Sequence, residues 1–149
     1  MKNILVLGGG RVGSAIGYDL AVENNITVAD INQSTLEDLK KKYHYNTICS
    51  DFSNLTELRN LIQGYDLIIS AVPGFMGFEV LKTIIKAGKN VVDISFFPEN
   101  ALELNELAEN NKVTALVDFG VAPGLGNILF GHYDSMMKIN SYECYVGGL

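Results

Sequence analysis

The chain has 149 residues, of which 48% are hydrophobic and 19% are charged, so it carries enough apolar material for one folded domain and is too apolar to be disordered. Its 17 acidic and 11 basic residues give a net charge of −6, which argues against binding to nucleic acids or to anionic membrane surfaces.

Short apolar runs alternate with amphipathic stretches along most of the chain. The runs are rich in Val and Ile and are apolar on both faces, as is typical of strands in a parallel sheet that helices cover on both sides. They predict strands over residues 4–7, 26–29, 46–49, 67–71, 91–94 and 113–117.

The stretches between these runs predict helices over residues 12–22, 36–43, 55–62, 78–87 and 101–109. Asn54 and Glu57 form a capping pair at the start of one helix, and Gly88 follows the end of another. Strands that alternate with helices through right-handed crossovers predict an α/β fold of the Rossmann type, with a doubly wound parallel sheet and helices on both faces.

The end of the chain predicts one more helix over residues 128–138 and one more strand over residues 142–146. We therefore expect a Rossmann domain over residues 1–126 and a helix and strand over residues 127–149 that lead into a further domain.

The sequence also predicts a cytoplasmic protein without a metal site. The opening apolar run stops at Leu7, which is too short for a secretory signal, and no stretch is long enough to span a bilayer. Cys49 and Cys144 are far apart and have no Cys/His cluster near them, so we expect two reduced thiols.

A glycine-rich loop joins the first predicted strand to the first predicted helix. Its residues Gly8, Gly10 and Gly13 fit a G-x-G-x-x-G pattern, with Arg11 and Val12 between the last two glycines. In this pattern the first glycine permits a tight turn, the second lets the backbone approach a pyrophosphate, and the third lets the helix pack closely on the strand. The loop therefore predicts a dinucleotide-binding site.

Asp30 ends the second predicted strand, 22 residues after Gly8, where an acid can accept hydrogen bonds from the adenosine ribose. This carboxylate would repel a 2′-phosphate, and neither Ile31 nor Asn32 offers a guanidinium group. The sequence thus predicts NAD rather than NADP as the cofactor. The alternative is that the glycines only shape a turn and that Asp30 caps the following helix.

Further cofactor contacts are expected at the ends of the next two strands. Asp51 is placed to meet the adenine, although it could equally cap the helix that begins near Asn54. Ala71, Val72 and Pro73 follow the fourth strand at the topological switch point, where small residues let the backbone lie against the cofactor. With Ile31, they complete the predicted cofactor site.

Four parts of the sequence resemble the saccharopine dehydrogenase family: the glycine loop with Asp30, and residues 70–73, 92–100 and 118–127. The Asp-x-Gly-x-Ala-Pro-Gly-Leu stretch within the last of these, and residues 145–149, are most similar to the lysine 6-dehydrogenase branch. The resemblance implies NAD-dependent oxidation at the CH–NH group of lysine or a lysine derivative, and a substrate and dimerisation domain after this segment.

The implied reaction requires a neutral amine and a base within hydrogen-bonding distance. Asp93 and Asp118 are the acids that end the fifth and sixth strands on the correct edge of the sheet, but each could instead be a structural cap or a cofactor contact. The resemblance therefore leaves the catalytic base unassigned. The resemblance implies an amino acid as the small-molecule substrate. Apolar residues over 128–149 predict a homodimer.

A second class of proteins also shares part of the pattern. Residues 4–72 resemble the nucleotide-sensing regulatory domains of potassium transport systems, which bind a nucleotide without chemistry. The segments after residue 90 favour the dehydrogenase, since such domains lack them. A methyltransferase would explain the acid after the second strand, but not the third glycine.

Overall fold

The computed structural model of the protein describes residues 1–43 and 45–147. Six parallel strands form one sheet in the order β3-β2-β1-β4-β5-β6, which confirms the predicted doubly wound α/β fold. The strands are β1 (Asn3–Leu7), β2 (Asn25–Asp30), β3 (Asn46–Cys49), β4 (Leu67–Ser70), β5 (Val91–Asp93) and β6 (Ala115–Leu116).

Helices connect successive strands across the two faces of the sheet, and one more helix follows the last strand. They are α1 (Arg11–Leu20), α2 (Gln33–Tyr43), α3 (Leu55–Leu61), α4 (Gly74–Lys86), α5 (Asn105–Asn111) and α6 (Leu125–Asp134), with short 3₁₀ turns at Ile62–Gly64 and Ala101–Leu104. No helix in the described part of the chain is long and apolar enough to cross a membrane.

The alternation of side chains along β1 separates the two halves of the core. Leu5 and Leu7 pack on one face with residues of α3 and α4, whereas Ile4 and Val6 pack on the other face with residues of α2. Strands that are apolar on both faces are therefore buried on both sides, as their sequences predict. Because all strands are parallel, their carboxyl ends lie along one edge of the sheet, where the loops of the candidate site are found.

The predicted strand over residues 142–146 is wrong, because the structure has no strand between residues 135 and 147. A strand requires a partner for its backbone groups, and this segment lies outside the sheet. Tyr142 instead packs against Phe130 of α6, with ring centroids 5.2 Å apart. Gly148 and Leu149, at the end of the predicted 127–149 segment, lie outside the described residues.

Helix α6 carries several exposed apolar side chains, including Ile128, Leu129 and Tyr133. The predicted apolar surface therefore exists in the structure. The homodimer that was expected from it, the division of the chain at residue 126 and the cytoplasmic location stay predictions.

Candidate functional site

Two glycines let the loop after β1 lie directly against the loop after β4. Gly8 has a φ of +100°, which side chains rarely adopt, and a Cβ there would lie 2.5 Å from the carbonyl oxygen of Ala71. A Cβ on Gly13, in the first turn of α1, would overlap the carbonyl oxygen of Gly8. Both positions therefore need glycine for close packing of the backbone.

Gly10 differs from these two glycines because it faces open space. It is the N-cap residue of α1, and a Cβ built on it would meet no atom within 4 Å. Arg11 and Val12 follow in the exposed first turn. Since the first N–H groups of a helix lack intrahelical partners, the space beside Gly10 can receive an anion at the start of α1.

Asp30 ties the glycine loop to the end of β2. Its Oδ2 accepts a hydrogen bond of 2.6 Å from the N–H of Gly9, and its Oδ1 accepts one of 2.8 Å from the N–H of Asn32. The cap of α2 is Asn32, whose side-chain oxygen accepts hydrogen bonds from Ser34 Oγ and from the N–H of Thr35. Asp30 therefore holds the loop in place and does not cap α2.

A cleft of about 410 Å³ lies between the glycine loop, the ends of β2 and β3, and the start of α4. The structure brings six of the predicted cofactor-binding residues into its wall: Gly8, Asp30, Ile31, Asp51, Val72 and Pro73. The remaining predicted residues, Gly10, Arg11, Val12, Gly13 and Ala71, lie in the adjoining loop, the first turn of α1 and the turn after β4.

The cleft also contains four residues that the sequence did not predict: Phe52, Ser53, Phe75 and Met76. Phe52 and Ser53 directly follow the predicted Asp51, and Phe75 and Met76 closely follow the predicted Pro73. Because they are neighbours of predicted residues in the sequence, the sequence could have indicated them as members of the same site.

Asp51 is an exposed acceptor at the edge of this cleft. Its Oδ1 accepts a hydrogen bond of 2.9 Å from the N–H of Ser53, and hydrogen bonding to Ser53 lowers the pKa of the carboxyl group. The cap of α3 is Asn54, which accepts a hydrogen bond of 3.3 Å from the N–H of Glu57. Asp51 is therefore ionised at neutral pH and is not occupied in capping α3.

Asp93, one of the two candidates for the catalytic base, has no exposed surface. Its Oδ1 accepts hydrogen bonds from the N–H of Ser95, at 2.7 Å, and from the Ser95 hydroxyl. Burial raises the pKa of Asp93, and the hydrogen bonds from Ser95 offset part of this effect. In this position the carboxyl group is closed off from solvent and anchors the loop after β5. Its role as the catalytic base stays a prediction.

Asp118, the other candidate, is exposed in the loop after β6 and has a φ of +53°. It lines a separate cleft of about 340 Å³ and not the cleft beside the glycine loop. The structure therefore does not bring the two candidate bases together with the predicted cofactor residues. Among the residues that the structure describes, no group of three or more His, Cys, Asp or Glu side chains could hold a metal ion.

The sequence model of one protein family, the saccharopine dehydrogenase NADP binding domain, matches residues 4–116 of this chain. The chain is 31% identical to a saccharopine dehydrogenase [NADP(+), L-glutamate-forming] from Schizosaccharomyces pombe, over all of this chain and 35% of the relative. It is 29% identical to the mitochondrial alpha-aminoadipic semialdehyde synthase of Mus musculus, over 99% of this chain and 17% of the relative. The chain thus spans about a third or less of the length of these relatives.

Among solved structures, apo saccharopine dehydrogenase (L-Glu forming) from Saccharomyces cerevisiae superposes with a TM-score of 0.82 and 25% identity. The match covers 91% of this chain and 31% of that one. The family match extends through both halves of the sheet, whereas the resemblance to potassium-transport regulatory domains stopped at residue 72. These matches do not single out the lysine 6-dehydrogenase branch.

The predicted preference for NAD over NADP is wrong, because the matching domain model is NADP-binding and the fungal relatives are NADP(+) enzymes. The prediction treated the Asp30 carboxylate as a free acceptor turned towards the ribose. In the structure both of its oxygens accept hydrogen bonds from backbone N–H groups, so its presence in the loop is explained without a ribose contact. An acid at this position therefore does not identify the cofactor in this chain.

Proposed function

Since the chain belongs to the family of saccharopine dehydrogenase NADP binding domains, we propose that it binds NADP(H) in the cleft beside the glycine loop, as the cofactor domain of an oxidoreductase. The observation that carries this proposal is the open space at Gly10 beside a loop that glycine packing holds against the switch point of the sheet. A dinucleotide needs this combination of a rigid loop and a free helix start.

The residues present suit the separate parts of the cofactor. The pyrophosphate would lie against Gly10 and the first turn of α1, where N–H groups can donate to it. The adenosine would extend towards Asp51 and the ends of β2 and β3, because the cleft runs in that direction. The start of α2 would offer backbone N–H donors to a 2′-phosphate, and the Ser34 hydroxyl would join them by exchanging its hydrogen bond to Asn32 Oδ1 for one to the phosphate.

We further propose that the substrate is lysine or a lysine derivative, and that the reaction takes place at its CH–NH bond. The similarity to saccharopine dehydrogenases and semialdehyde synthases supports this proposal. The cofactor would supply hydride transfer, while residues of this chain hold it in place and form one wall of the site. The rate of hydride transfer depends on how well the site holds the donor carbon against the cofactor. One wall alone cannot hold the donor carbon in this position.

Calorimetric titration of the chain with NADP, NADPH and NAD tests the cofactor proposal. We expect NADP and NADPH to bind more tightly than NAD, because the 2′-phosphate adds hydrogen bonds at the start of α2. Ser34→Ala should weaken the binding of NADP and leave that of NAD unchanged. An absence of NADP binding would refute the proposed function, and an unchanged NADP affinity in the Ser34→Ala variant would refute the position of the 2′-phosphate.

The substrate proposal requires a separate assay. NADPH absorbance is followed during incubation of NADP with saccharopine, L-lysine and a panel of other amino acids. We expect negligible turnover by residues 1–149, and turnover of a lysine-type amine once a substrate domain of a relative is fused after them. Rapid turnover by the 149-residue chain would contradict the need for a second wall.

A further inference from the structure

Phe75 is an aromatic residue in the wall of the cleft that the fold leaves exposed. It is the second residue of α4 and is 87% exposed, although its neighbours in that helix supply much of the core. Large apolar side chains are favoured in the interior, so one held in solvent at the edge of a cleft suggests contact with a ligand. The cofactor contacts predicted for this turn stop at Pro73.

The backbone that carries Phe75 is held firmly. A Cβ on Gly74 would overlap the carbonyl oxygen of Phe96, so the loop after β5 lies directly on the first turn of α4. Pro73 precedes that turn as its N-cap residue. The position of the Phe75 backbone is therefore fixed, while its ring is free to meet a ligand.

The residues that share the cleft with Phe75 indicate which part of a dinucleotide would reach it. Ile31, 65% exposed at the end of β2, forms another apolar part of the wall. Asp51, an ionised acceptor after β3, lies at the same cleft. The described wall draws its residues from the ends of β1 to β4 and the segments after them, and none from β5 or β6. This composition suits a flat base that has apolar faces and an amino group.

We propose that Phe75 packs against the adenine base of the bound cofactor and fixes the adenosine half in the cleft. This inference rests on the proposed function, since it requires a dinucleotide in the same cleft. The two faces of adenine would meet Phe75 and Ile31, and its exocyclic amino group would donate to Asp51. Aromatic side chains stack on bases without regard to the rest of the ligand, so the contact should act equally on every ligand that carries this half.

The experiment compares the binding of NADP and of 2′,5′-ADP, which contains only the adenosine half, by calorimetry. Phe75→Ala should weaken the binding of both ligands by the same factor, about fivefold to 150-fold, the range that loss of one base–aromatic stack produces. Phe75→Tyr should restore most of the affinity, because a tyrosine ring can stack in the same way. The high exposure of Phe75 implies that all variants keep the thermal stability of the wild type.

Phe96→Ala is the matched control. Phe96 is a phenylalanine 74% exposed at the same edge of the sheet, but it lies outside the wall of this cleft. Its replacement should leave the affinity for 2′,5′-ADP unchanged. An effect of Phe75→Ala below twofold, an effect on NADP alone, or an equal loss in the Phe96→Ala variant would each overturn the inference. A wild-type chain that binds neither ligand would instead refute the proposed function on which the inference rests.

Discussion

Replacing Gly10 with alanine should weaken NADP binding without weakening the fold. The backbone of Gly10, with a φ of −65° and a ψ of −170°, is accessible to alanine, and the added methyl group would meet no protein atom within 4 Å. The lower entropy of the unfolded chain favours alanine by about 0.4–1 kcal/mol. The preference for glycine over alanine at the N-cap offsets much of this gain, so we expect a net change within about 0.5 kcal/mol.

The same methyl group would stand in the space that the pyrophosphate needs. A charge-assisted hydrogen bond contributes about 1.5–3 kcal/mol, so the loss of one bond between a phosphate oxygen and α1 lowers the affinity at least about tenfold. Gly13→Ala should instead lower the stability of the fold, because its methyl group would overlap the Gly8 carbonyl oxygen. Such overpacking costs about 1–3 kcal/mol of stability.

Urea denaturation and calorimetry with NADP separate these two effects. Gly64→Ala is the control, since Gly64 also faces open space but lies in the 3₁₀ turn after α3, away from the cleft. We expect it to leave the affinity for NADP unchanged and to raise the stability by about 0.4–1 kcal/mol, because no N-cap preference offsets the entropy gain at this position. If Gly10→Ala binds NADP as tightly as the control does, the pyrophosphate does not lie at the start of α1.

Three further predictions follow from polar contacts. Asp30→Asn can no longer accept hydrogen bonds on both side-chain oxygens from Gly9 and Asn32, and should lose about 1–3 kcal/mol in urea denaturation; unchanged stability would contradict the proposed tie. Asp93→Asn should be at least as stable as the wild type at pH 7. Because burial raises the folded-state pKa of Asp93, the stability of the wild type falls as the pH rises from about 4 through that pKa, and the stability of the variant should lack this decrease. Asn54→Ala removes the cap of α3 and should lower the free energy of unfolding by about 1 kcal/mol. Asn54→Asp should keep most of the stability that the cap contributes.

Local sequence patterns predicted the central strands, because a short run of apolar residues is enough to indicate a strand that is buried on both faces. Each of β1, β2 and β4 is buried on both faces, and its position in the sheet adds nothing that its composition does not already indicate. The last two predicted strands, over residues 113–117 and 142–146, depended on more than composition. Strand β6 is limited to Ala115–Leu116, shortly before Asp118, whose φ of +53° is incompatible with a continuing strand. The segment 142–146 has a strand-like composition but no neighbouring strand.

The start of α4 shows why helix boundaries were less predictable. The sequence predicted a start at Phe78. Gly74 and Gly77 precede that residue, and glycine has a low helix propensity. In the structure the helix begins at Gly74, and a Cβ on Gly74 or on Gly77 would collide with the loop after β5. These glycines are required by a contact between segments distant in sequence, which outweighs their intrinsic cost. The same early start places Phe75 in the cleft, so the boundary error and the missed residue have one cause.

The error about the cofactor has a similar origin. The sequence rule treats an acid after the second strand as a ribose ligand, and thus as a sign against a 2′-phosphate. The side chain of Asp30 instead accepts two backbone hydrogen bonds, one from the glycine loop and one from the segment that leads into α2. An acid used in this way determines the shape of the loop, and the choice of cofactor then depends on the groups beyond it. The backbone N–H groups in the first turn of α2 are neutral donors there, and such groups can bind a phosphate without a guanidinium group. The residue type at one position therefore carries information about the ligand only when the structure leaves its polar atoms free.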